Sequence, residues 1–219
     1  YLLLVHALVM WRDLPEDPLG SPVARMLAVL LVPALLLPTV IAHELAHLVV
    51  ARRLGARIRE IDLRVVGMSR GAGDAPSPGG QARIALAGPL VSLLLGLAAL
   101  GVTMGLGGQD GPSALAAWTV GCIAIGNLVL GLASLYPGYP MDGSDVVHAV
   151  AWRVTGSRRR ASRAVVQVGV VAGWVVMLGG LGVALRVDAS TGMWLTLLGW
   201  ALGRIARNAR DQDRLVEMV

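Results

Sequence analysis

Residues 43–47 read His43-Glu44-Leu45-Ala46-His47, an H-E-x-x-H stretch at the end of a long apolar run. On an α-helix, side chains four apart share a face, so both imidazoles can reach one metal ion. Glu44 lies one step round from that face, where a carboxylate can touch an attacking water. Metal-assisted hydrolysis needs that arrangement. Between residues 24 and 42 the only polar side chains are Arg25 and Thr39, which places the motif at membrane depth. A helix whose two histidines are satisfied by ordinary hydrogen bonds is the alternative. It is disfavoured, because ionisable groups on an apolar span are costly in lipid and mark functional sites.

Composition agrees with this setting. The 219 residues are 55% hydrophobic and 15% charged, and the mean hydropathy is +0.67. A soluble domain carries about 25% charged residues, so the composition implies a polytopic membrane protein surrounded by lipid. All 19 basic residues are arginine. They flank apolar stretches, so topology explains them and no nucleic-acid partner is expected. Cys122 is the only cysteine, which rules out an intrachain disulfide.

Working outward from the motif, 22–54 is the longest helical stretch. Pro22 suits a first turn, Pro33 and Pro38 loosen the helix before the motif, and Gly55 can cap it after Arg52 and Arg53. Upstream, 12–21 is a proline-rich turn and 1–11 is the length of half a crossing, since a full one needs about 20 residues. The expectation is a first span truncated at its N-terminus, with His6 a packing or pore-side residue and no signal-peptide pattern. Downstream, Ile61, Leu63 and Val65 alternate with Glu60, Asp62 and Arg64, the period of a short interfacial β-strand. Residues 67–80 form a Gly/Pro/Ser loop.

Further spans are expected at 81–106, 113–136, 164–185 and 193–205. The fold class is therefore all-α, with about six transmembrane helices and a short β segment. Asn127 and Ser134 lie in the fourth span. It runs into Pro137-Gly138-Tyr139-Pro140-Met141-Asp142-Gly143, whose prolines and glycines force irregular backbone. Lipid tolerates such backbone only where protein or a water cavity surrounds it. A short helix over 145–155 carries His148 near the interface, and the basic run Arg158-Arg159-Arg160 follows. The pairs Gly101/Gly105, Gly169/Gly173 and Gly199/Gly203 predict close helix packing within the bundle.

Sixteen of the arginines follow the second, fourth and sixth spans, and three (Arg12, Arg25 and Arg186) lie on the opposite side. The positive-inside rule makes the richer side cytoplasmic. The H-E-x-x-H helix end and the Asp142 loop then share that side, as they must if they share a metal.

With these motifs placed, the chain resembles the site-2 proteases, intramembrane zinc metalloproteases that cut transmembrane segments of other proteins. HELAH at 43–47, AGPL at 87–90 and PGYPMDG at 137–143 carry the resemblance, which covers nearly the whole chain. It implies one Zn2+ held by His43, His47 and Asp142, with Glu44 as catalytic base. The implied setting is a single transmembrane protease domain over 1–219 in the cell membrane, with its site toward the cytoplasm. The implied substrate is a transmembrane protein, such as an anti-sigma factor, which pairs with the strand at 61–66 after local unwinding. The family's Asn-Leu-Leu-Pro is Ser134-Leu135-Tyr136-Pro137 here, so the oxyanion role falls to Ser134 or to Asn127. The family's Asn after AGPLV is Ser92, and its DGG is Asp142-Gly143-Ser144. Some relatives continue into a cytoplasmic CBS pair, toward which the tail at 204–219 points. The residues alone leave two rivals, a divalent-metal transporter and an inactive membrane scaffold. Neither needs a glutamate between the two histidines.

Overall fold

A computed structural model of the chain describes residues 22–56, 75–106 and 111–216. The truncated first span and the strand expected at 61–66 lie outside those residues. Among the described residues the chain is helical: α1 (Pro22–Arg53), α2 (Pro78–Leu106), α3 (Gly111–Ser134), α4 (Asp142–Thr155), α5 (Arg158–Arg186) and α6 (Ala189–Val216). Four stretches of the described residues are long and apolar enough to cross a membrane: Leu30–Arg53, Pro78–Leu106, Leu115–Ser134 and Arg158–Arg186. Their outward side chains, such as Leu94 at 65% exposure and Val175 at 64%, present apolar surface where a soluble protein would present charge. The protein is a membrane protein. α6, expected as a span over 193–205, is a helix throughout but is not one of these four.

By its contacts the chain divides into two compact units, Tyr1–Ala46 with Gly88–Leu132, and His47–Ala87 with Ala133–Val219. In the first, Val32, Leu36 and Cys122 form a buried core against which Trp118 and Ile123 pack. Pro33 and Pro38 do not end α1. Each removes one backbone donor, and beside Pro38 the Thr39 hydroxyl donates to the Leu36 carbonyl at 2.7 Å. Expected packing at Gly101 and Gly105 is absent: a Cβ at either meets nothing within 4 Å among the described residues.

In the second unit, α1 ends as its sequence dictates. Gly55 takes φ +69°. Its N–H donates to the Arg52 carbonyl at 3.1 Å, and the Ala56 N–H donates to the Ala51 carbonyl at 3.0 Å. This is a Schellman closure with Ala51 and Ala56 in contact across it. α4 packs on α5, and α5 packs on α6. The latter pair meets backbone to backbone, and a Cβ at Gly173 would stand 2.7 Å from the Gly203 nitrogen. Gly173→Ala is therefore expected to cost about 1–3 kcal/mol of stability by overpacking, measured as a lower unfolding midpoint in detergent. Gly179→Ala, where a Cβ meets nothing within 4 Å, should leave the midpoint unchanged.

Several helix boundaries differ from expectation. The basic run Arg158–Arg160 belongs to the first turn of α5, because the Ser157 hydroxyl accepts from the Arg160 N–H and caps the helix. α4 starts at Asp142 rather than 145, and α2 at Pro78 rather than 81.

Candidate metal centre

His47 sits near the end of α1, with 2% of its surface exposed. Its Nδ1 lies 2.7 Å from the Ile84 carbonyl oxygen on α2. A carbonyl only accepts, so the proton is on Nδ1 and the Nε2 lone pair is left for a metal. One turn earlier on the same helix, His43 is also buried and its Nδ1 is 2.8 Å from the Ser92 hydroxyl. The hydroxyl can accept from an Nδ1–H, and in that tautomer the Nε2 lone pair can ligate a metal, as in His47.

Asp142 reaches His47 through the irregular backbone between α3 and α4. The Gly138 N–H donates to the Tyr136 carbonyl, the Met141 N–H to the Gly138 carbonyl, and the Ser144 N–H to the Met141 carbonyl. These turns bring α4 to its start at Asp142. Gly143 then lets the first turn of α4 press on the backbone of Leu135 and Tyr136, since a Cβ there would overlap their carbonyl oxygens. Asp142 Oδ2 thereby stands 3.5 Å from His47 Nε2.

That separation is long for a charge-assisted hydrogen bond, about 2.7–2.9 Å. It is close to the roughly 3.3 Å edge of a tetrahedron with bonds near 2.0–2.1 Å. One ligand atom from each of His43, His47 and Asp142 lies within 4.8 Å of the others. Two oriented imidazoles and a carboxylate are a zinc donor set that leaves a fourth position open.

Glu44, on the turn between the histidines, is half-buried. Asn127 is fully buried on α3. Its amide donates to the Ile123 carbonyl at 2.9 Å, and its Oδ1 has no hydrogen-bond partner among the described residues. Ser134 is buried at the end of the same helix. The structure thus clusters the three expected ligands, and among the described residues it does not join Asn127 to them by a hydrogen bond.

Sequence reading missed the two groups that orient the imidazoles. Ser92 stood out only as a departure from AGPLV-Asn. The Ile84 carbonyl is a backbone atom and left no residue-type signal, since the missing N–H of Pro89 withdraws a donor from the Ala85 carbonyl instead.

Comparison with known proteins points the same way. Residues 31–119 match peptidase family M50. A Mycobacterium tuberculosis protein named as a zinc metalloprotease, Rip3, is 36% identical over 176 residues, covering 79% of this chain and 44% of the relative. A Synechocystis protein named as a zinc metalloprotease is 31% identical over 210 residues, covering 93% of this chain and 54% of the relative. The chain spans about half the length of these two relatives. The site-2 protease structure from Methanocaldococcus jannaschii superposes with a TM-score of 0.60 at 24% identity, covering 94% of this chain and 87% of that one. The fold is the site-2 protease fold.

Proposed function

We propose, from the premise that residues 31–119 of this chain belong to peptidase family M50, that the protein is an intramembrane zinc metalloprotease. Its reaction is hydrolysis of a peptide bond within or near a transmembrane segment of a membrane-protein substrate. The observation that carries this reading is the His47 ring, fixed by Ile84 on one nitrogen and turned toward Asp142 with the other.

The metal ligands are His43, His47 and Asp142, and zinc held there supplies Lewis acidity toward the scissile carbonyl and the attacking water. Glu44 takes the proton of that water and passes it to the leaving amine. Ser92 and the Ile84 carbonyl keep both imidazoles in place while charge moves. The negative charge developing on the carbonyl oxygen falls to Ser134 or Asn127. The Asn127 amide gives one of its two N–H groups to Ile123 and keeps the other, and Ser134 lies just upstream of the turn that delivers Asp142. Burial of both histidines keeps bulk water from the ligands.

The topology belongs to the same proposal. Six spans result when 1–11 and α6 are added to the four apolar helices, in one domain over 1–219 seated in the cell membrane. The arginine count puts the site toward the cytoplasm. The substrate is a single-pass regulator such as an anti-sigma factor, unwound and paired with the strand at 61–66.

The test is reconstitution in liposomes with labelled transmembrane substrates, zinc quantified per chain and product termini mapped by mass spectrometry. One zinc per chain and new termini inside the transmembrane segment are expected. A zinc-loaded protein that cuts no substrate and moves zinc across the bilayer would be a transporter.

A further inference from the structure

We propose that Gln81 is a positioning residue that holds Asp142 against His47 by tying the first turn of α2 to α4. The inference rests on the zinc-site reading above and adds a residue to it.

Gln81 lies in a turn capped by Ser77, whose hydroxyl accepts from the Gly80 N–H at 3.1 Å and whose carbonyl accepts from the Gln81 N–H at 3.0 Å. The Gln81 amide faces α4 with both ends occupied. Its Nε2 donates to Asp145 Oδ1 at 3.1 Å, and its Oε1 stands 2.9 Å from His148 Nδ1. Because the amide nitrogen is given to Asp145, the oxygen must accept, so His148 carries its proton on Nδ1. Burial lowers the His148 pKa, which favours a neutral ring with that single N–H.

Asp145 and His148 lie three and six residues beyond Asp142 on α4, one and nearly two turns away. Ile84 lies three residues beyond Gln81 on α2. The contacts therefore close a ring. His47 bonds Ile84, α2 carries Ile84 and Gln81, Gln81 bonds Asp145 and His148, and α4 carries these back to Asp142 beside His47. Without Gln81 the ring opens between α2 and α4, and Asp142 loses that support. A glutamine there has a role that an apolar residue of the same size would not: its amide donates to a carboxylate and accepts from an imidazole at once. Arg158 braces the outer side, donating to the Ala75 carbonyl at 2.7 Å and stacking 4.2 Å from the Trp152 ring.

The experiment compares the full chain in detergent with Gln81→Met, which keeps the size and removes both bonds. A second variant, the pair Gln81→Glu with Asp145→Asn, reverses donor and acceptor and restores both. Zinc affinity is read by chelator competition, and amide hydrogen exchange of α4 is read in the metal-free protein. Gln81→Met is expected to weaken zinc binding on the order of 10-fold, the lower end for residues that support ligands, and to speed exchange in α4. The reversed pair is expected to recover most of both. Wild-type affinity and exchange in Gln81→Met, or a reversed pair no better than Gln81→Met, overturns the proposal. A wild type that binds no zinc overturns the metal reading itself, whereas a zinc-binding wild type matched by Gln81→Met removes only the tie.

Discussion

Glu44→Gln is expected to slow peptide-bond hydrolysis by about 10²–10⁴-fold, the usual contribution of a positioned general base, with zinc content unchanged. The amide keeps the size and hydrogen-bonding reach of the carboxylate but cannot take a proton from water. Glu44 is not one of the three clustered ligands, and its half-buried position accepts an isosteric change without a cavity. The loss should therefore fall on the rate alone. Cleavage of a labelled transmembrane substrate in lipid, with zinc measured in both proteins, checks it. A variant that cuts at the wild-type rate would remove Glu44 from the chemistry, and one that loses zinc would make it a ligand.

The second large effect is expected at a residue with no chemistry of its own. Gly143→Ala places a Cβ on the carbonyl oxygens of Leu135 and Tyr136. Those atoms are backbone and cannot rotate away as a side chain would. The start of α4 must back off from residues 135–136, and Asp142 is its first residue. Misplacement of a reacting group by about 1 Å can cost on the order of 100-fold in rate, and overpacking adds about 1–3 kcal/mol of instability. Gly143→Ala should thus lose most activity and bind zinc weakly while its far-ultraviolet helix signal persists. Gly101→Ala, in open space, is the matched control. Wild-type zinc affinity in Gly143→Ala would show that the close approach of Gly143 to the Leu135 and Tyr136 carbonyls does not set the Asp142 position.

These two residues show what could be read from the sequence. The two histidines were legible because helical period alone puts residues 43 and 47 on one face. Asp142 was legible because prolines and glycines on both sides of Tyr139 announce an irregular turn, and the family resemblance assigns its aspartate. Gly143 was quoted in that motif, but its reason is a close approach that only coordinates reveal. Ser92, the Ile84 carbonyl and Gln81 act across gaps of 49, 37 and 64 residues, and no local pattern encodes such pairings. The glycine pairs show the same limit. Gly173 and Gly203 do meet, while Gly101 and Gly105, at the spacing of the other pairs, meet nothing among the described residues. Periodicity says which residues share a face and is silent on what that face opposes. The start of α5 was misplaced because three arginines look like a loop, although Ser157 before them is a good N-cap.

The buried Cys122, with 2% of its surface exposed, makes the chain convenient for spectroscopy. It is the only thiol, and its burial shields it from maleimide reagents, so a single cysteine introduced at Gly105 or Gly182 offers one reactive handle without first emptying the background. Both positions leave a Cβ unobstructed. A fluorophore or spin label attached there would report on the exposed apolar helix surface while His43, His47 and Asp142 stay native.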